Sequence, residues 1–342
     1  MKRDGEDRLK LSSWVAAVVA LLIAAPVAAR DIDKALIEAA KKEGKLVFYT
    51  SYVTPQMHAA VKEGFEKAYG IPVELLNVRA SELNQRVQAE QSAGRFLGDV
   101  VQHGQASITR FTRADNTQPM GPIGAAADLI DGQPAEPSQI GSFIAAYAIM
   151  VNSNMVKPED DPKSWLDLHD PKWKGKILVD DMRAAGGGNA LFSATYSVLG
   201  EDFHRKLAAN GVTISRDVGE AERRTARGEY PIYTPQVSSD LTSLRGLPLR
   251  LVVPKEGVAY VRLDLALLKN APHPNAARLF VEYYLSEENQ RRIAGWGVLP
   301  VIKGADTSLP PEAQPMAKAK FMGTIVADTQ QKMLDLATDI YK

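Results

Sequence analysis

The chain has 342 residues, 45% hydrophobic and 24% charged, an ordinary globular balance with a length prior of about two domains. Basic and acidic side chains number 41 each, so there is no electrostatic footprint for nucleic acid or an anionic membrane surface. There is no cysteine, which excludes disulfides, thiolate chemistry and Cys-based zinc sites.

Residues 1–29 read as an export signal. Lys2, Arg3, Arg8 and Lys10 make a net-positive start, Trp14–Ala25 is apolar, and Val27-Ala28-Ala29 supplies small residues for cleavage before Arg30. The apolar run is shorter than the ~20 residues of a membrane-spanning helix. Without a cysteine to carry lipid, the expected mature chain is free in the periplasm.

Asp31–Glu43 places Ile32, Ala35, Leu36, Ala39 and Ala40 on one helical face, and Gly44 stops it. Lys45–Thr50 is a short buried strand. Thr54 caps a helix with Pro55 at its first position, and Met57, Val61, Phe65 and Ala68 form its inner face. Pro72–Val78 is a second strand, Ser81 caps a helix reaching Ala93, and Gly98–Gln102 is a third strand. Phe143–Val151, with its small residues around Tyr147, reads as a crossover. Strand Lys176–Val179 then leads through a glycine-rich turn to the helices Asn189–Leu199 and Phe203–Ala209. Strand Val212–Ser215 follows, and Asp217 with Glu220 opens the helix Ala221–Arg227. Tyr230–Tyr233, Leu249–Val253 and Tyr260–Leu268 complete the strands. Alternation at this spacing predicts an α/β chain with parallel sheets covered on both faces.

In open α/β sheets a ligand sits beyond the carboxyl ends of the strands. That rule selects Ser51 and Tyr52, then Arg79 and Ser81, then Gln102 and His103. In the second half it selects Asp180, Asp181, Arg183 and Gly186–Asn189, then Arg216, then Tyr233 and Gln236. Gly186-Gly187-Gly188-Asn189 opens a helix, where free N–H groups attract an anion and glycines allow close approach. Arg183 adds a fork for carboxylate or phosphate. The competing reading of this loop is a flexible turn with a solvated arginine. Tyr147 reaches the cleft from the crossover or packs between lobes. Of the five histidines, His103 alone ends a strand, while His58, His169, His204 and His273 are expected to be solvated or packed. Arg262 and Asp264, in an apolar strand, need partners: they pair with each other or with solvent near the hinge, or Arg262 meets the solute at the cleft. The residues expected to touch a solute are Ser51, Tyr52, Ser81, Gln102, His103, Tyr147, Arg183, Gly187, Gly188, Asn189, Arg216, Tyr233 and Gln236. No HExxH, GxSxG or P-loop pattern is present, so no catalytic residues, cofactor or resident metal are expected.

Lys269–Pro300 (KNAPHPNAARLFVEYYLSEENQRRIAGWGVLP) reads as a strand end, a Pro-bounded turn and two helices. With KLVFYTSY, GDVVQHG, GEYPIY and Pro162–Ile177 (PKSWLDLHDPKWKGKI), it resembles bacterial extracellular solute-binding proteins, in the branch of the iron(III) receptors of ABC importers. The resemblance implies a two-lobed periplasmic-binding-protein fold, type II-like, each lobe a mostly parallel sheet flanked by helices, with a hinge between. Residues 30–146 plus 264–342 would form one lobe and 147–263 the other. It implies a monomer that closes on a solute in the interlobe cleft and docks on a membrane permease, with no nucleotide site of its own. Relatives in the iron(III) branch use adjacent tyrosines after the strand matching Tyr230–Tyr233, whereas here Tyr233 is followed by Thr234-Pro235. The expected solute is therefore a small organic anion such as a carboxylate, phosphonate or phosphate ester. The alternatives are ferric ion held by Tyr52, His103, Tyr147 and Tyr233, a sensor role, and a secreted hydrolase.

Overall fold

The computed structural model describes residues 32–52, 54–130 and 136–342, so the expected signal segment lies outside the described residues. Asp33 accepts the Ala35 N–H at 2.8 Å and opens α1 (Lys34–Glu43), and Gly44, at φ +82°, ends it. There follow β1 (Leu46–Thr50), α2 (Pro55–Tyr69), β2 (Val73–Asn77), α3 (Ala80–Ser92), β3 (Val100–Gly104), α4 (Gln105–Arg113), the short β4 (Thr117–Gln118) and the long β5 (Ile140–Asn152). The second half runs β6 (Ile177–Asp180), α5 (Gly187–Ala209), β7 (Thr213–Ser215), α6 (Val218–Ala226), β8 (Ile232–Val237), β9 (Leu249–Val252) and β10 (Val258–Leu268). The chain ends with α7 (Pro274–Tyr284), α8 (Glu287–Ala294), β11 (Leu299–Pro300), α9 (Gln314–Ala317), β12 (Phe321–Gly323) and α10 (Gln330–Ile340). The two expected helices between Asn189 and Ala209 are the two arms of α5, broken at Gly200 (φ +78°).

The main sheet order is β2-β1-β3-β10-β5-β8-β6-β7. Both wings are parallel, with β1 between β2 and β3 and β6 between β7 and β8. The centre is antiparallel, because β5 and β10 are long strands that cross from one wing to the other. The Ile140–Ile144 end of β5 pairs with β10 and β11, and its Tyr147–Asn152 end pairs with β8 and β9. Every residue of β5 is buried, and Ala145, Ala146 and Ala148 keep the crossing thin. Two wings joined by crossing strands form the two-lobed architecture.

The first-lobe core is centred on β1, α2 and α7. Phe280 of α7 sits 4.8 Å from Phe48 and 5.2 Å from Phe65, ring centre to ring centre. Glu43 holds the start of α7 by accepting from the N–H groups of Asn275 (3.1 Å) and Ala276 (2.8 Å). His273, expected to be solvated or packed, packs at the start of α7 and donates from Nδ1 to the buried Asp99 at 2.9 Å. Ala68, expected on the inner face of α2, is exposed, and His58 is buried in its place. Arg262 and Asp264 pair with each other, Nε to Oδ1 and Nη2 to Oδ2, both at 2.7 Å.

We propose the lobe limits 30–146 plus 264–342 and 147–263 with one amendment. α10 packs along α5 of the second lobe. Tyr341 bonds His204 Nδ1 through its hydroxyl at 2.9 Å, and its carbonyl accepts from Arg183 Nη1 at 3.1 Å. β12 pairs with the second-lobe end of β10. The last 20 or so residues, Phe321 onward, therefore travel with the second lobe rather than the first.

Candidate functional site

The carboxyl ends of β1, β2, β3, β6, β7 and β8 open on one cleft of about 660 Å³. On the first-lobe wall lie the starts of α2 (Thr54–Gln56), α3 (Arg79, Ala80) and α4 (Gly104–Ser107). None of these helices has a side-chain cap, so the backbone N–H groups at their starts, from Gln56 onward in α2 because Pro55 has none, are left for whatever enters. The second-lobe wall differs. Asp180 Oδ2 accepts the Gly188 N–H at 2.8 Å, and Asp217 Oδ1 accepts the Glu220 N–H at 2.8 Å, so α5 and α6 are capped by the chain's own carboxylates.

The walls touch. The Tyr52 hydroxyl meets Ser239 Oγ at 2.6 Å, and Arg79 donates to the Arg216 carbonyl. Arg79 Nη2 also lies 3.6 Å from Asp180 Oδ1. Arg216 reaches Asp181 Oδ2 at 3.5 Å and is 64% exposed at its side chain, so its guanidinium can serve a solute.

His103 lines the cleft as a neutral ring. Its Nδ1 accepts from Gly104 N–H at 2.8 Å and its Nε2 donates to the Ala80 carbonyl at 3.2 Å. Burial lowers its pKa to about 3. With both nitrogens committed, it is a scaffold between β3 and α3. The Tyr52, Tyr147 and Tyr233 phenols are pushed up, first by burial and then by nearby carboxylates such as Asp240 and Asp180. Glu222 of α6 and Asp240, which follows β8, form a hydrogen-bonded carboxyl pair in the same cleft. Burial and their mutual repulsion raise Glu222 to about 8, and burial raises Asp240 to about 6.

Of the expected residues, Ser51, Tyr52, His103, Tyr147, Gly187 and Arg216 line the cleft. The other expected residues do not. Ser81 lies inside α3 because that helix begins two residues earlier, with Arg79 at its cap position. Gln102 is buried two residues short of the strand end, between Thr50 (3.0 Å) and Ser142 (2.9 Å). Arg183 turns back to Asp181 and Tyr341. Gly188 packs against the Asp181 backbone, and Asn189 donates to the Met182 carbonyl at 3.1 Å. Tyr233 and Gln236 are buried within β8, which runs four residues beyond the expected end at Tyr233. The anion nest expected at Gly186–Asn189 is filled by Asp180. Sequence reasoning passed over Glu222 and Asp240. Glu222 stands five residues after the cap Asp217, a spacing that carries no motif, and Asp240 follows the unrecognised extension of β8. Among the described residues, no group of three or more His, Asp or Glu side chains is placed to hold a metal ion. No helix there is long and apolar enough to cross a membrane.

Residues 101–325 match the family described as bacterial extracellular solute-binding protein. The chain belongs to that family. A putative 2-aminoethylphosphonate-binding periplasmic protein of Salmonella typhimurium is 24% identical over 164 residues, 44% of this chain and 48% of the relative. The chain spans about half the length, or less, of the curated relatives it matches. Iron-bound HitA from Pseudomonas aeruginosa superposes with a TM-score of 0.72 at 23% identity, covering 86% of this chain and 99% of HitA. The periplasmic binding protein AfuA from Actinobacillus pleuropneumoniae, with fructose-6-phosphate bound, gives 0.75 at 22%, covering 87% and 98%. These two likenesses establish the solute-binding-protein fold, and the relatives are binding proteins rather than enzymes.

Proposed function

We propose that this member of the family is the periplasmic substrate-binding component of an ABC importer and that it captures a small organic anion in the cleft, for delivery to a membrane permease. The observation that carries the reading is the first-lobe wall, where three uncapped helix starts face the cleft beside Arg79, with Arg216 opposite. Free N–H groups and guanidinium forks suit a phosphonate, phosphate ester or carboxylate. The relative named for 2-aminoethylphosphonate and the AfuA neighbour holding fructose-6-phosphate support an oxyanion. A ferric solute is disfavoured by the phenols raised rather than lowered and by the committed nitrogens of His103. The cleft excludes water from both walls on closure, which strengthens each charged contact.

Calorimetry of the purified protein against phosphonates, phosphate monoesters, carboxylates and ferric citrate tests this. An oxyanion should bind, and Arg79→Ala or Arg216→Ala should weaken it about 10- to 100-fold, as the loss of a charge-assisted hydrogen bond does. Ferric citrate producing a visible charge-transfer band that Tyr147→Phe abolishes, with no oxyanion binding, would overturn the reading in favour of iron.

A further inference from the structure

The second-lobe wall of the same cleft is acidic. Asp180 ends β6, Glu222 lies on α6 and Asp240 follows β8, and all three line the cleft. Asp180 and Glu222 are buried, 3% and 6% exposed. Glu222 is met by Gln236 Nε2 at 2.7 Å and Asp240 by Ser239 Oγ at 3.1 Å, and the two carboxyls bond each other. Among the described residues, neither Glu222 nor Asp240 has a Lys or Arg nitrogen at ion-pair distance; Arg223, which also lines the cleft, pairs with Glu220 and acts on Glu222 only through its field.

A separate observation marks this corner as incomplete. Gln236, whose Nε2 meets Glu222, is fully buried and its Oε1 has no hydrogen-bond partner. Asp180 Oδ1 also lacks a hydrogen bond, with Arg79 no nearer than 3.6 Å. Buried polar atoms without partners are costly and need an explanation. Here acceptors outnumber donors. An ammonium group brings three N–H donors and a positive charge, and no acceptor. Tyr52 and Tyr147 on the cleft wall add aromatic faces that favour a cation. A metal ion fits less well, because the described acidic and histidine side chains include no ligand set of three.

We propose that the solute carries a protonated amine as well as its anionic group, and that the amine seats on the second lobe against Glu222 and Asp240. The inference rests on the oxyanion reading for its other half. The anion faces the uncapped helix starts of the first lobe and the amine faces the carboxyls of the second. The solute is thus a small zwitterion with its two charges joined by a short spacer. The amine adds second-lobe contacts to those that the anion makes with Arg79 and Arg216, so one such molecule stabilises the closed form more than a simple anion does.

Phosphoethanolamine and ethyl phosphate form the test pair, because they share the phosphate ester and differ in the amine. Titration of the purified protein should show phosphoethanolamine binding at least about tenfold more tightly. Glu222→Gln and Asp240→Asn should each shrink that preference, weakening phosphoethanolamine several-fold more than ethyl phosphate. Equal affinity for the two compounds in the unsubstituted protein overturns the amine subsite and leaves the oxyanion reading standing, whether or not the variants fold. Equal weakening of both compounds by folded Glu222→Gln also overturns it. Binding of neither compound, nor of any other oxyanion with and without an amine, overturns both readings together.

Discussion

At Gly188 a Cβ would stand 2.7 Å from the carbonyl carbon and oxygen of Asp181 and 2.8 Å from the carbonyl oxygen of Asp180. These are backbone atoms fixed by β6 and by the capped start of α5, so they cannot swing aside. Gly188→Ala is expected to destabilise by about 1–3 kcal/mol, as overpacked sites do. Urea denaturation would show a lower midpoint with an unchanged slope. The glycine run was legible in the sequence, and its placement at a helix start was anticipated. Its purpose was not. Read locally, three glycines offer open N–H groups to an outside anion. In the fold they let α5 close on Asp180, a contact that requires residues 181–186 to turn back on themselves. Arg183 was misread for the same reason, since its partner carbonyl, Tyr341, lies 158 positions away.

Among the elements, β8 separates what sequence patterns carry from what they do not. Pro235 has no N–H to give a sheet ladder, which disfavours a strand through it. Yet β6 pairs with β8 only as far as Thr234, and the register of β5 shifts between Ala148 and Met150, opposite the proline. The missing donor falls where no ladder bond is required, so the strand continues. Tyr233 becomes a mid-strand core residue, and the true strand end delivers Ser239 and Asp240 to the cleft. By contrast, α7 was legible in full, because Pro274 at its first turn and the apolar spacing of Ala277, Phe280 and Tyr284 are local signals. Its seat can be tested at Phe280, which is fully buried against Phe48 and Phe65. Phe280→Ala should cost about 3–5 kcal/mol, read by chemical denaturation. Solute affinity of the protein that remains folded should be unchanged, since Phe280 does not line the cleft.

For the whole molecule, the buried titratable groups set how stability varies with pH. Burial lowers His58 to about 4, and His103 and His204 to about 3, from an ordinary 6.5. Below pH 6.5 the unfolded chain takes up protons at these rings and the folded chain does not, so stability rises with pH up to that point. The buried carboxyls work the other way. Asp240, raised to about 6, and Glu222, raised to about 8, hold protons in the folded state that the unfolded chain has released. Burial raises Asp180 and Asp264 as well, so the buried carboxyls offset much of the histidine rise in the acid range. The unfolded histidines finish releasing their protons about one pH unit above 6.5, and beyond that Glu222 is the remaining group of these. Stability of the solute-free protein should then fall with rising pH, by less than about 1.4 kcal/mol per unit and only until Glu222 ionises in the folded state near pH 8. The thermal midpoint should therefore peak near neutral pH, and Glu222→Gln, which has no proton to lose, should flatten the limb above it. Persistence of the fall in that variant would place the titrating group elsewhere. The same measurement with solute present adds a constraint from linkage. A bound cation beside Glu222 and Asp240 favours their ionised forms, so saturating phosphoethanolamine should also flatten the alkaline limb, whereas ethyl phosphate should raise the curve without changing its slope.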